Sequence, residues 1–186
     1  MTMILTIPIG RVDRTVLEAI ADFVDNYYSR FGLGVKPFPE IPVEPFSRAF
    51  NPLRGQYLGR VFLPTLTGIE KRVRGTAVLG VTELDLYEEG LNFIFGLANS
   101  TLRTAIVSIH RLKPEFYGRE PDKELLKERA VKEAMHELGH VFGLGHCPNP
   151  RCVMHFSNSI LDTDFKSSLY CSACEEKLSK NLGVLL

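Results

Sequence analysis

His136-Glu137-Leu138-Gly139-His140-Val141-Phe142-Gly143-Leu144-Gly145-His146 is the stretch around which the rest of the chain falls into place. It fits H-E-x-x-H-x-x-G-x-x-H at every fixed position. On a helix, residues four apart lie on one face about a turn apart, so His136 and His140 can grip one ion together. Gly143 is the residue type that takes the left-handed conformation ending a helix, which lets the chain turn back and bring in His146 as a third ligand. Three neutral imidazoles leave the fourth position on zinc open to water, the layout of a catalytic site rather than a structural one. Glu137, between the first two ligands, is placed to take a proton from that water. The competing reading is a buried helix that happens to be rich in histidine.

Upstream, Pro121 and Asp122 suit a helix N-terminus, so a helix is predicted from there to about Phe142. Ile4 to Ile9, Ala77 to Thr82, Leu91 to Ala98 and Thr104 to His110 read as buried strands. Asp13 can cap a helix whose stripe is Val16, Leu17, Ile20, Phe23, Val24 and Tyr27, with Gly32 and Gly34 ending it. Pro37, Pro39, Pro42 and Pro45 make Val35 to Phe50 extended or irregular, on the surface. Tyr57 to Leu66 reads as a short helix or a strand, and Lys71, Arg72 and Arg74 as a solvated loop. A strand, a helix, then strands leading into a long helix predict an α/β (α+β) fold, a mixed sheet with helices on it.

The chain has 186 residues, 45% of them hydrophobic and 24% charged, the composition of an ordinary globular domain. Its 22 basic and 22 acidic residues cancel, which argues against a nucleic-acid partner or an anionic membrane surface. The first ten residues lack the basic region and length of a signal peptide, and no apolar run is long enough to span a bilayer. The expected location is the cytoplasm, where reduced thiols are available as metal ligands.

All four cysteines follow the histidine motif: Cys147 and Cys152 as C-x4-C, then Cys171 and Cys174 as C-x-x-C. Four thiolates in two close pairs suit a tetrahedral structural zinc, and so short a tail needs such a clip to stay folded. Two disulfides, or buried free thiols, are the alternatives.

Taken together, residues 136–174 read H-E-x-x-H-x-x-G-x-x-H-C-x4-C-x-M followed by C-x-x-C, and this pattern resembles that of the archaemetzincins, a branch of the metzincin clan of zinc peptidases. Asn92-Phe93-Ile94-Phe95-Gly96 resembles the family more loosely. The resemblance implies a metzincin-like zincin: a twisted mixed sheet, a backing helix, a long active-site helix and a small zinc-stabilised C-terminal lobe. It implies one catalytic domain over 1–186, divided into an N-terminal subdomain (1–146) and a C-terminal one (147–186). It further implies two zinc ions per chain. His136, His140 and His146 would hold the catalytic ion, and Cys147, Cys152, Cys171 and Cys174 the structural one. Glu137 would be general base and acid, and Met154 the Met-turn beneath the site. Some members of the clan carry a tyrosine two residues after that methionine; here the position is Phe156.

Substrate in that clan lies along an antiparallel edge strand, for which Leu91 to Leu97 is the candidate; a peptide adding there would gain main-chain hydrogen bonds. The function implied is metal-assisted hydrolysis of peptide bonds by a monomer acting on peptides or proteins. The alternative is a zinc-stabilised peptide-binding protein with little or no hydrolytic activity, a reading that replacement of Glu137 separates from the first. His110 and His155 read as a satisfied strand-end residue and an exposed turn residue, outside the site.

Overall fold

Branched apolar residues crowd the first strand, and the computed structural model, which describes residues 2–73 and 77–183, sets it inside a five-stranded sheet as β1 (Thr2–Ile9). Asp13 then caps α1 (Arg14–Tyr28) by accepting the Thr15 N–H, and the helix buries Val16, Ile20, Val24 and Tyr28. Gly32, at φ +73°, makes the turn that follows. Gly34, expected to help end the helix, instead lies within β2 (Leu33–Pro37), which runs parallel to β1.

The proline-rich segment therefore starts as a strand, and it is not wholly superficial. Its Phe46 is buried, stacked on Phe62 with ring centroids 4.4 Å apart. Next come β3 (Phe50–Asn51), β4 (Gln56–Leu58) and α2 (Phe62–Val73). Tyr57 to Leu66 is thus neither helix nor strand throughout but passes from one to the other. The backbone of Lys71 and Arg72 belongs to α2 rather than to a loop, while Arg74 lies outside the described residues.

The remaining strands are β5 (Ala77–Thr82), β6 (Leu86–Tyr87), β7 (Gly96–Asn99) and β8 (Thr104–Ser108). In the main sheet the order is β2-β1-β5-β8-β7, parallel except for β7, which pairs antiparallel with β8 and forms one edge. A small second sheet has the order β3-β4-β6. The strand expected over Leu91 to Ala98 is only its last part. Residues 91–94 leave the ladder because their polar groups are satisfied elsewhere: Arg54 donates to the carbonyls of Leu91 and Asn92, Gln56 also donates to Asn92, and the Ile94 N–H reaches the Leu86 carbonyl.

The long helix is α3 (Lys123–Val141), capped by Asp122, followed by α4 (Ile160–Phe165) and α5 (Ser172–Asn181). Alternation along β5 sends Ala77, Leu79 and Val81 towards α1 and α3, and Val78 towards Phe62, Leu63 and Leu66 of α2. The central parallel strands are thus covered on both faces, which is why they read as unbroken apolar runs. Val153, Met154, Tyr170 and Leu178 join the core on the α1/α3 side.

Charge is buried along α3 as well. Arg129 forks onto Asp164 at 2.7 Å and donates to the Leu112 carbonyl, and Lys166 lies 3.0 Å from Glu133 with both residues almost wholly buried. Lys166→Met would strand the Glu133 carboxylate without its cation. A loss of about 3–5 kcal/mol is expected, read from denaturant unfolding of the metal-loaded protein.

Candidate active site

Ridge spacing on α3 sets His136, Glu137 and His140 on one side of the helix, and the helix ends where the motif requires. Gly143 takes φ +86°, its N–H donates to the His140 carbonyl, and the Leu144 N–H donates to that of Gly139. Those two bonds make a Schellman C-cap, which a residue with a Cβ would strain. The turn returns the chain so that His146 faces the helix, with ring centroids 4.8 Å from His140 and 5.4 Å from His136. Phe156 packs edge-on against His146 at 4.9 Å.

The hydrogen bonds around these rings decide which nitrogens face inward. Nδ1 of His136 donates to the Val153 carbonyl at 2.7 Å, and Nδ1 of His140 to the Leu144 carbonyl at 2.8 Å. A carbonyl can only accept, so each Nδ1 carries the proton and each Nε2 keeps its lone pair. Those two Nε2 atoms are 3.1 Å apart. Two acceptors so close call for a cation between them, and ligands on a tetrahedral zinc, at about 2.0–2.1 Å from the metal, stand about 3.3 Å apart. One ligand atom from each of the three histidines falls within 4.8 Å of the others, so the donor set fits the ion. Burial, then the nearby Lys166 ammonium, holds His136 well below the usual histidine range; burial likewise lowers His140 and His146. All three are therefore neutral and ready to ligate at pH 7.

Glu137 does not point at the cluster of Nε2 atoms as a fourth ligand; its carboxyl lies against β7. A Cβ built on Gly96 would sit 2.6 Å from Glu137 Oε1. Burial, then the Glu133 carboxylate one turn earlier, raises Glu137 well above the ordinary carboxyl range, and Lys166 opposes them. Gly96→Ala is expected to push the Glu137 carboxyl aside and lower kcat/KM at least about tenfold, since a misplacement of 1 Å costs that or more. Metal content measured beside activity checks that only geometry changed.

Beneath the helix, Gly139 leaves room for Met154, whose sulfur would lie 2.3 Å from a Cβ at that position. The second cluster brings the four cysteines together, one Sγ from each within 4.8 Å of the rest, with Cys147 and Cys171 at 3.8 Å. That matches the edge expected of a zinc tetrathiolate with bonds of about 2.3 Å, and is far from the roughly 2.05 Å of a disulfide. Burial raises the Cys171 thiol, but hydrogen bonds from the Cys174 N–H and the neighbouring sulfurs outweigh it and bring it down to about 7. The two clusters are contiguous: His146 precedes Cys147, and the Val153 carbonyl that orients His136 follows Cys152.

Every candidate ligand named from the sequence is thus in one of two groups, and Glu137 is beside the first. His110 and His155 stand apart, their Nδ1 atoms 3.2 Å from the Glu83 carbonyl and 3.0 Å from that of Cys147. Glu133, Lys166 and the orienting carbonyls were not anticipated, nor was the contact of Gly96, named only as part of the edge segment, with Glu137. Glu133 carried a signal, being four residues before Glu137 on a helix; Lys166 carried none. The edge strand beside the site is Gly96–Asn99, shorter and later than expected.

Comparison with known proteins places these features in company. The family model described as peptidase family M54 matches residues 1–180. The chain is 57% identical to an archaemetzincin of Pyrococcus furiosus over 97% of this chain and 94% of that one. It is 56% identical to an archaemetzincin of Thermococcus kodakarensis over the full length of both. The crystal structure of archaemetzincin from Methanopyrus kandleri superposes with a TM-score of 0.80 at 41% identity, covering 98% of this chain and 96% of that chain. That of Archaeoglobus fulgidus archaemetzincin complexed with malonate gives 0.78 at 36% identity, covering 95% and 99%.

Proposed function

The chain belongs to peptidase family M54, a family of zinc metallopeptidases, and on that premise we propose how its residues divide the work. His136, His140 and His146 hold the catalytic zinc, in the manner of a metzincin H-E-x-x-H-x-x-G-x-x-H site with Met154 as its Met-turn. Cys147, Cys152, Cys171 and Cys174 hold a second, structural zinc, making two per chain. The bound catalytic ion supplies a Lewis acid that activates water and polarises the scissile carbonyl.

Glu137 accepts the proton that the attacking water gives up and returns it to the leaving amine. Its raised pKa suits that task, because a carboxyl poised nearer neutrality can both take and release a proton. The Val153 and Leu144 carbonyls hold His136 and His140 in the required tautomer. Substrate lies extended along Gly96–Asn99, the antiparallel edge whose outer backbone groups can pair with a peptide. Residues 1–186 act as one catalytic domain, 147–186 forming a zinc-clipped subdomain on the shared core. The protein works as a cytoplasmic monomer without nucleic-acid or membrane partners. Zero net charge speaks against a nucleic-acid or anionic-membrane partner, and among the described residues no helix is long and apolar enough to cross a membrane.

The observation that carries the reading is the Glu137 carboxyl packed on Gly96 beside three inward-facing imidazoles. Metal analysis together with peptide digestion tests it. Two zinc ions per chain are expected, with hydrolysis abolished by a chelator and restored by zinc. A fully zinc-loaded protein that leaves a diverse peptide mixture intact would overturn it.

A further inference from the structure

The backbone fixes two of the three imidazoles and leaves the third free. Nδ1 of His136 is tied to the Val153 carbonyl and Nδ1 of His140 to the Leu144 carbonyl, whereas neither ring nitrogen of His146 has a hydrogen-bond partner among the described residues. His146 is also the exposed member of the trio, His136 being buried and His140 half-buried. An outer contact that orients a ligating ring is worth about 10–100-fold in metal affinity, so His146 needs some other support. We infer that Phe156 supplies it, as the positioning residue of the third zinc ligand. The inference rests on the zinc reading above and names what completes that site.

The chain around His146 is pinned at two points. Leu144 is held through its N–H on the Gly139 carbonyl and through its own carbonyl, which accepts from His140. Cys147 is held through its N–H on the Met154 carbonyl and through its own carbonyl, which accepts from His155 Nδ1. Only Gly145 and His146 lie between these anchors, in no helix or strand. The backbone of His146 is therefore placed, but its side-chain rotamer is not, and an exposed ring can turn out into water.

Phe156 closes that escape. Its ring meets the imidazole at 62° with centroids 4.9 Å apart, within the range of favourable edge-on pairs. The rings of His140 and His136 flank the imidazole too, but as ligands of the same ion they offer it no hydrogen bond. Phe156 reaches this spot because it stands two residues after Met154, which is wholly buried against Gly139 under the helix. The same ring forms one wall of a cavity of about 240 Å³ beside His136 and Glu137, with Leu91, Phe93 and Phe95 opposite. Such a contact needs a ring and no hydroxyl, in keeping with phenylalanine at this position.

Chelator competition on the zinc-loaded full chain tests the role, with cysteine alkylation in the same samples reporting whether the thiolate cluster keeps its ion. In Phe156→Ala the dissociation constant of the histidine-held zinc should rise about tenfold, the worth of one aromatic pair, while the cysteines stay as protected as before. Phe156→Tyr keeps the ring and should restore the affinity to within about twofold. Leu91→Ala removes an apolar residue across the cavity that is 46% exposed against 43% for Phe156, and should move neither ion. An unchanged affinity in Phe156→Ala, a loss matched by Leu91→Ala, or a loss that Phe156→Tyr fails to restore overturns the inference. Equal weakening of both ions in Phe156→Ala also overturns it, since the ring would then serve the fold at large. The expected ranking in a protein that cleaves no peptide would sink the hydrolytic reading and leave the positioning role standing.

Discussion

Glu137→Ala is expected to leave a folded, zinc-loaded protein that has lost about a thousandfold or more in kcat/KM, because a positioned proton-transfer group contributes about 10²–10⁴. The carboxyl is no ligand of the imidazole cluster, so the ion should stay. It is also a buried acid kept from ionising freely by its surroundings and by Glu133, so its removal relieves a cost instead of breaking a stabilising pair. Stability should hold or rise slightly. Kinetics, zinc analysis and a melting curve on the same preparation check the three parts. Activity close to that of the unsubstituted protein would show that the base lies elsewhere, and a zinc-stabilised peptide binder would show no change at all.

Cys171→Ser combined with Cys174→Ser should produce a large loss of stability. Structural zinc sites in small modules contribute about 10–16 kcal/mol of apparent binding free energy. Here the tail also packs Val153, Met154, Tyr170 and Leu178 into the shared core, so some order survives, and a loss of at least about 5 kcal/mol is expected. The damage should spread to the other cluster. Cys147 adjoins His146, the Cys147 N–H donates to the Met154 carbonyl, and Val153, whose carbonyl orients His136, directly follows Cys152 of the same cluster. Zinc content is expected to fall below one ion per chain, with activity lost in parallel. A stable, active double variant that retains one zinc would show that the thiolate cluster is dispensable to the histidines.

The site was far more legible in the sequence than its surroundings were. His136, Glu137, His140, Gly143 and His146 are tied by helix geometry and one left-handed turn, and both act over a few residues. The grouping of the four cysteines was similarly legible, since two close pairs can converge without reference to the rest of the fold. Helix α1 and strands β1, β5 and β8 followed from periodicity, because each buries a face or both faces in the ordinary way. Residues 91–94 misled for a long-range reason: the start of an apolar run with strand composition is held out of the ladder by Arg54 and Gln56, some 36–38 residues earlier. Gly34 misled for the same reason, its partner Met3 lying on β1.

Local order along the chain thus determined which atoms could bind metal and which carboxyl could move a proton. Only the tertiary structure decided what surrounds them. The Lys166 ammonium beside Glu133, the Gly96 backbone against Glu137, and the aromatic slot between residues 91–96 and 156–158 all join segments remote in sequence. Ligand geometry depends on bonds and turns that the chain carries with it, whereas electrostatic environment and pocket shape depend on which distant surfaces burial forces together.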